Sequence, residues 1–223
     1  MPPSFLRHLL LALAWLCALP AAAADVSRLA ASAPDADARV LQLAVQALHC
    51  ARGDGLAAPA RLAVIDYSRP STEKRLWVFD LASGALLFHE RVAHGRNSGE
   101  NLTRHFSNEL GSLATSLGLF RTDDSYHGSN GYSLRLDGLE PGVNDRARER
   151  AIVMHGAPYV DAGVMQKLGR LGRSHGCPAV RAGIARPLID TLKGGQLLFS
   201  YYPDSDWLAS SRFLNCTART ASR

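Results

Sequence analysis

Cysteine is scarce in this chain, four among 223 residues, and no long apolar run occurs beyond the N-terminal segment. The one such run, Leu9 to Leu19, follows Arg7 and precedes Ala22-Ala23-Ala24, small residues of the kind found where an export signal is cut. It is shorter than the roughly 18 consecutive apolar residues of a membrane-spanning helix, so residues 1–24 are expected to be a signal peptide and Asp25 the first residue of an exported chain that no longer inserts in a membrane. Trp15-Leu16 ahead of Cys17 is too bulky for a lipoprotein signal. Runs of like charge are also missing: 25 basic and 20 acidic residues are interspersed, with a formal charge of +5, and nothing resembles the basic stripe of a nucleic-acid-binding protein. Internal repeats, low-complexity tracts and long linkers are absent. So is the regular strand–helix alternation that a doubly wound α/β sheet requires.

What remains reads as one domain, preceded by a helical segment over residues 25–60. Val40, Leu41, Ala44, Val45 and Leu48 recur at helical spacing between Pro34 and Gly53. From Arg61 the period changes, and strands are expected over 62–67, 75–81, 85–93, 117–121, 132–136, 151–155 and 196–202, with a turn at Gly128-Ser129-Asn130-Gly131. Short helices are expected over 144–150 and 182–192, the second ended by Gly194-Gly195. Many short strands with a few peripheral helices indicate a mainly β fold, a β-sandwich or partial barrel.

After export, Cys50, Cys177 and Cys216 remain, and in an oxidising compartment two can pair. Cys50 ends the amphipathic helix and Cys216 lies near the C-terminus, neither beside other reactive residues. A Cys50–Cys216 disulfide with Cys177 free is therefore expected, the alternative being a paired Cys177. The free thiol would stand in Gly172-Arg173-Ser174-His175-Gly176-Cys177-Pro178-Ala179-Val180-Arg181. A thiol of ordinary pKa is mostly protonated at neutral pH and needs a base or cation beside it to act as a nucleophile. His155, at the end of an expected strand, and His175 are the imidazoles that can serve. Gly176 leaves room for a carbonyl beside the sulfur and, with Cys177, offers backbone N–H groups to an oxyanion. Two other classes fit the same residues. One is a zinc site made by His155, His175 and Cys177, although His-x-Cys is an unusual chelating spacing and no carboxylate adjoins it. The other is a binding module in which Cys177 is incidental.

His155-Gly156 followed by Ser174-His175-Gly176-Cys177, with Pro-Ala-Val after the cysteine, resembles the signature of the L,D-transpeptidases with a YkuD-like catalytic domain. Gly118-Leu119-Phe120, the stretch Gly131 to Leu139 and the stretch Asn144 to Ala151 extend the resemblance, which spans about Arg61 to Tyr202 and makes residues 61–223 the catalytic domain. It implies a β-sandwich-like fold and a cysteine acyltransferase of the bacterial cell envelope, acting on peptidoglycan stem peptides without a cofactor or metal. Carried over, Cys177 is the nucleophile, His155 the base and His175 a second imidazole, with Ser174 and the Gly156 carbonyl orienting a histidine. Gly156 and Tyr132 are expected to face substrate. Many family members carry an arginine two residues after the cysteine, where Ala179 stands here; Arg173 and Arg181 are the nearest guanidiniums for a stem carboxylate. Transfer to an amine, or to water as a carboxypeptidase, both remain open. The loops 96–108 and 121–130 are the expected lids, and a monomer is expected.

Overall fold

The computed structural model describes residues 21–216. Residues 1–20, most of the expected signal, lie outside the described residues, and the cleavage point expected after Ala24 falls within the first helix. Among the described residues the elements run α1 (Ala21–Ser32), α2 (Ala38–Gly53), β1 (Arg61–Asp66), β2 (Leu76–Asp80), β3 (Leu86–Glu90), β4 (Gly118–Gly128), β5 (Gly131–Gly138), β6 (Val153–Ala157), α3 (Ala162–Leu168), β7 (Ala179–Arg181), α4 (Ala182–Leu192), β8 (Leu197–Tyr201) and α5 (Ser205–Ser210).

The strands form one eight-stranded sheet in the order β3-β2-β1-β8-β4-β5-β6-β7. At its centre β1 and β8 pair in parallel, Leu62 opposite Leu197 through Asp66 opposite Tyr201. Both are buried along nearly their whole length, which a parallel pair covered on both faces demands. Leu62, Val64, Trp77, Phe79, Leu119, Leu197 and Phe199 share one core with Leu41, Ala44, Val45 and Leu48 of α2. Ala63, Ile65, Val78, Leu136, Met154 and Leu198 share the other with Ile184, Leu188 and Ile189 of α4. Beyond β3 the chain bends back, and Ala93 N donates to Ala179 O at 2.8 Å, joining the two ends of the sheet. The two layers thus come from a single sheet rolled toward closure.

Asp37 starts α2 by accepting from Arg39 N at 2.7 Å and Val40 N at 3.3 Å. At the other end of α2, Cys50 is bonded to Cys216, with a Cα–Cα distance of 5.8 Å. This fastens the C-terminal segment to the helical layer.

Three expected elements differ. The helix expected over 144–150 is a run of turns, because the Asn144 side chain binds backbone rather than solvent. Its Oδ1 accepts from Glu140 N at 2.8 Å and its Nδ2 donates to Leu117 O and Leu119 O at 2.8 and 3.1 Å. The strand expected from Ala151 begins at Val153, since Ala151 itself adopts φ 53°. Residues 121–128 are no loop but the outer part of β4, paired with β5 through His127 opposite Tyr132. The short elements α1, α3, α5 and β7 had no clear periodicity in the sequence.

Candidate active site

β6 and β7 lie side by side in parallel, His155 opposite Ala179 and Gly156 opposite Val180. This register brings the histidine on β6 beside the turn that leads into β7, where Cys177 sits. Asn130, His155, Tyr159, Arg173, Ser174, His175 and Cys177 line one cleft of about 230 Å3.

The cysteine turn is held from both sides. Ser174 N donates to His94 O and Arg96 N to Ser174 O, which tethers the turn to the 95–103 loop. Ser174 Oγ donates to Cys177 O at 2.6 Å and accepts from Gly176 N at 3.1 Å. The serine therefore shapes the turn and does not orient a histidine, and the Gly176 N–H expected at an oxyanion is already used. Gly176 has φ 121°, and a Cβ there would stand 2.7 Å from Ala114 O. Only glycine fits, because the turn is pressed against backbone.

Cys177 is a free thiol, 7% exposed. Its Sγ accepts from Val153 N at 3.5 Å and donates to Ala151 O at 3.6 Å. Burial pushes its pKa up, while the Val153 N–H and the Arg150 guanidinium pull it back. His155 is buried, and its Nδ1 lies 3.0 Å from Gly156 O. A carbonyl can only accept, so the ring proton sits on Nδ1 and Nε2 keeps a lone pair. Burial lowers the His155 pKa, partly offset by that same carbonyl, so the ring is neutral at pH 7. His175 is exposed at the mouth.

Gly156 meets the helix rather than a ligand: a Cβ there would lie 2.8 Å from the Ala185 Cβ, so its bareness lets α4 pack on β6. Arg173 faces the cleft but donates to Glu100 Oε1 at 2.7 Å and to two backbone carbonyls. Arg181 grips Glu90 with two bonds, 2.9 and 2.7 Å, and lines a separate hollow with Lys74 and Arg91. Neither guanidinium is thus held out as an unpaired cation. Tyr132 lies outside the cleft lining, its hydroxyl bonded to Ser125 and Asp190. The 96–108 loop is braced against the cysteine turn through Arg96 N, which donates to Ser174 O, and Tyr159, ahead of α3, is among the residues that line the cleft. Tyr159 and Asn130 were not singled out as site residues in the sequence, since only the fold brings them to the cleft. No group of three His, Cys, Asp or Glu side chains among the described residues is placed to hold a metal ion, and no described helix is long and apolar enough to cross a membrane.

The family described as L,D-transpeptidase catalytic domain matches residues 32–201. The chain belongs to that family. The match takes in the cysteine turn, His155 and all of α2. Among solved structures, the chain is similar to an L,D-transpeptidase from Mycobacterium smegmatis, at 15% identity and TM-score 0.39, over 64% of this chain and 59% of that one. It is similar to one from Stackebrandtia nassauensis at 12% identity and TM-score 0.40, over 79% and 76%. A third, from Xylanimonas cellulosilytica, shares 15% identity at TM-score 0.37, over 81% and 92%. The chain thus spans about three fifths of the length of the mycobacterial structure. No curated protein matches it.

Proposed function

We propose that this chain is an exported peptidoglycan L,D-transpeptidase with Cys177 as nucleophile and His155 as base. The observation that carries the reading is a single cleft holding both a free thiol and an imidazole whose tautomer is fixed with Nε2 unprotonated. His155 Nε2 takes the thiol proton as Sγ attacks the carbonyl of the third residue of a tetrapeptide stem. The tetrahedral intermediate collapses, the C–N bond to the terminal D-alanine breaks, and the imidazolium returns the proton to the leaving amine. An amine then attacks the thioester, gives its proton to His155 and expels the thiolate. With the Gly176 N–H bound to Ser174, the N–H of Cys177 is the remaining one of the two backbone donors expected at the oxyanion. The Cys50–Cys216 disulfide supports location in an oxidising envelope compartment.

The deciding experiment incubates the protein and its Cys177→Ala variant with a disaccharide-tetrapeptide and follows adducts and products by mass spectrometry. Release of D-alanine with joined stems, lost in Cys177→Ala, is the expected result. Tripeptide alone assigns a carboxypeptidase on the same scaffold. Stem binding without any adduct, surviving Cys177→Ala, would leave only a binding module.

A further inference from the structure

Arg150 closes the run of turns after β5 and directs its guanidinium inward beneath the cysteine turn. Nη1 donates to Ser107 O at 2.6 Å and Ser116 Oγ at 2.5 Å, and Nη2 to Ser112 Oγ at 3.1 Å and Ala114 O at 2.6 Å. Those four bonds use every N–H of the two terminal nitrogens, and every acceptor is neutral. A cation drawn partly out of water ordinarily takes a carboxylate, because an uncompensated charge in a low-dielectric site is costly. Arg146 and Arg148, close by in sequence, follow that rule, pairing with Glu109 and Glu149 and with Asp123 and Asp137.

What lies beside Arg150 is the back of the cysteine turn. Its Nη2 lies 3.4 Å from the place where a Cβ on Gly176 would stand, so the guanidinium sits in van der Waals reach of the back of the turn, next to the residue that carries the sulfur. The chain that leaves Arg150 then wraps the sulfur. Ala151, in a left-handed conformation, presents the carbonyl that accepts the thiol proton, and Val153 presents the N–H that donates to Sγ. One short segment thus supplies a permanent charge, an acceptor for the thiol and a donor for the thiolate.

We propose that Arg150 is a positioning residue that stabilises the thiolate of Cys177 by its charge, through the backbone of Gly176 and without touching substrate. The inference rests on Cys177 being the nucleophile. Other groups facing the sulfur do not supply this charge. His155 is neutral, His175 stands at the open mouth, and Tyr67 and Tyr159 are phenols whose ionisation the thiolate opposes. Arg173 is paired with Glu100, and Arg75 lies a layer back, over the Tyr67 ring. The Arg150 guanidinium and the sulfur each favour the other's charged form.

The test is the pH dependence of carbamidomethylation at Cys177 by iodoacetamide, followed by mass spectrometry in the wild type, Arg150→Gln and Arg150→Lys. Losing a unit charge at this range is expected to raise the thiol midpoint by about one unit and slow alkylation at pH 7 about tenfold. Arg150→Lys, which keeps the charge but cannot make the four bonds, should restore most of the rate. A folded Arg150→Gln that titrates with the wild type overturns the proposal. Should Arg150→Gln not fold, Arg150→Lys decides: an unchanged midpoint supports the charge, and a raised one assigns Arg150 a bracing role only. Loss of the nucleophile reading, by D-alanine release that survives Cys177→Ala, leaves this titration intact, so the two failures are distinguishable.

Discussion

His94 makes the cysteine turn sensitive to acid. It is 1% exposed, its carbonyl holds Ser174 N, and its Nδ1 lies 2.8 Å from Nη2 of Arg75, which is itself fully buried. A guanidinium can only donate, so Nδ1 accepts, and the ring proton on Nε2 points to Gly99 O at 3.3 Å. Protonating Nδ1 would set two donors and two positive charges against each other. Burial first, and Arg75 second, bring the His94 pKa from 6.5 down to about 4. The sign follows from proton counting: between pH 6.5 and 4 the unfolded chain binds the proton and the folded one does not, so stability is present above 6.5 and falls as pH falls. At 1.36 kcal/mol per unit, about 2 kcal/mol is lost by pH 5 and about 3 kcal/mol by pH 4. The comparison is urea unfolding of wild type and His94→Asn from pH 7.5 to 4. An amide at this place still accepts from Arg75 but does not titrate. The wild-type free energy should fall more steeply by about 3 kcal/mol over that range, with the two curves converging in acid. Parallel curves would show that His94 is protonated in the fold or free to leave Arg75, and the account of this network would be wrong.

Gly176→Ala, which forces a Cβ to 2.7 Å from Ala114 O at φ 121°, should destabilise by roughly 2 kcal/mol and abolish turnover; thermal unfolding and D-alanine release measure the two losses. His155→Gln should lower kcat/KM by about 100-fold or more, whereas exposed His175→Gln should stay within about tenfold, and near-wild-type turnover by His155→Gln would reassign the base. Its lowered pKa also places the acid limb of the wild-type rate profile below pH 6.5, since the base is lost only on protonation. Cys50→Ala frees a bond that closes 166 residues and should cost about 2–5 kcal/mol in denaturant unfolding while leaving the Cys177 alkylation rate unchanged.

The parts legible in the sequence were those with a local signal. The central strands show as unbroken apolar runs, α4 as a stripe from Ile184 to Leu192 ended by glycines, and the cysteine turn as a composition that packing alone does not call for. The misplaced helix at 144–150 had helix-forming residues, and what overrode them is one buried amide, Asn144, whose three partners come from Leu117, Leu119 and Glu140. Periodicity carries no trace of such a bond. The pairing of the arginines is hidden from the sequence for the same reason. Arg173 and Arg181 look available because they flank the motif, yet Glu100 of a loop and Glu90 at the end of β3, both distant in sequence, reach them, whereas Arg150 looks like one more charge in a basic stretch and turns inward.

The pKa directions at the site bear on how the proposed nucleophile would survive in the oxidising compartment proposed for it. A low-pKa, open cysteine would be attacked by oxidants and disulfides, because the thiolate is the reactive form. Here burial raises the Cys177 pKa and lowers that of His155, so at rest the pair is neutral thiol and neutral imidazole, with Sγ–H committed to Ala151 O. On the proposed mechanism, charge separation occurs during attack, when the proton moves to His155 and the sulfur gains its bond to carbon. Val153 N–H already points at the sulfur and the Arg150 charge already lies behind the turn, so their stabilisation is realised as that charge develops and needs no rearrangement. The same burial that protects the resting thiol strengthens those two interactions, since both act where water is excluded.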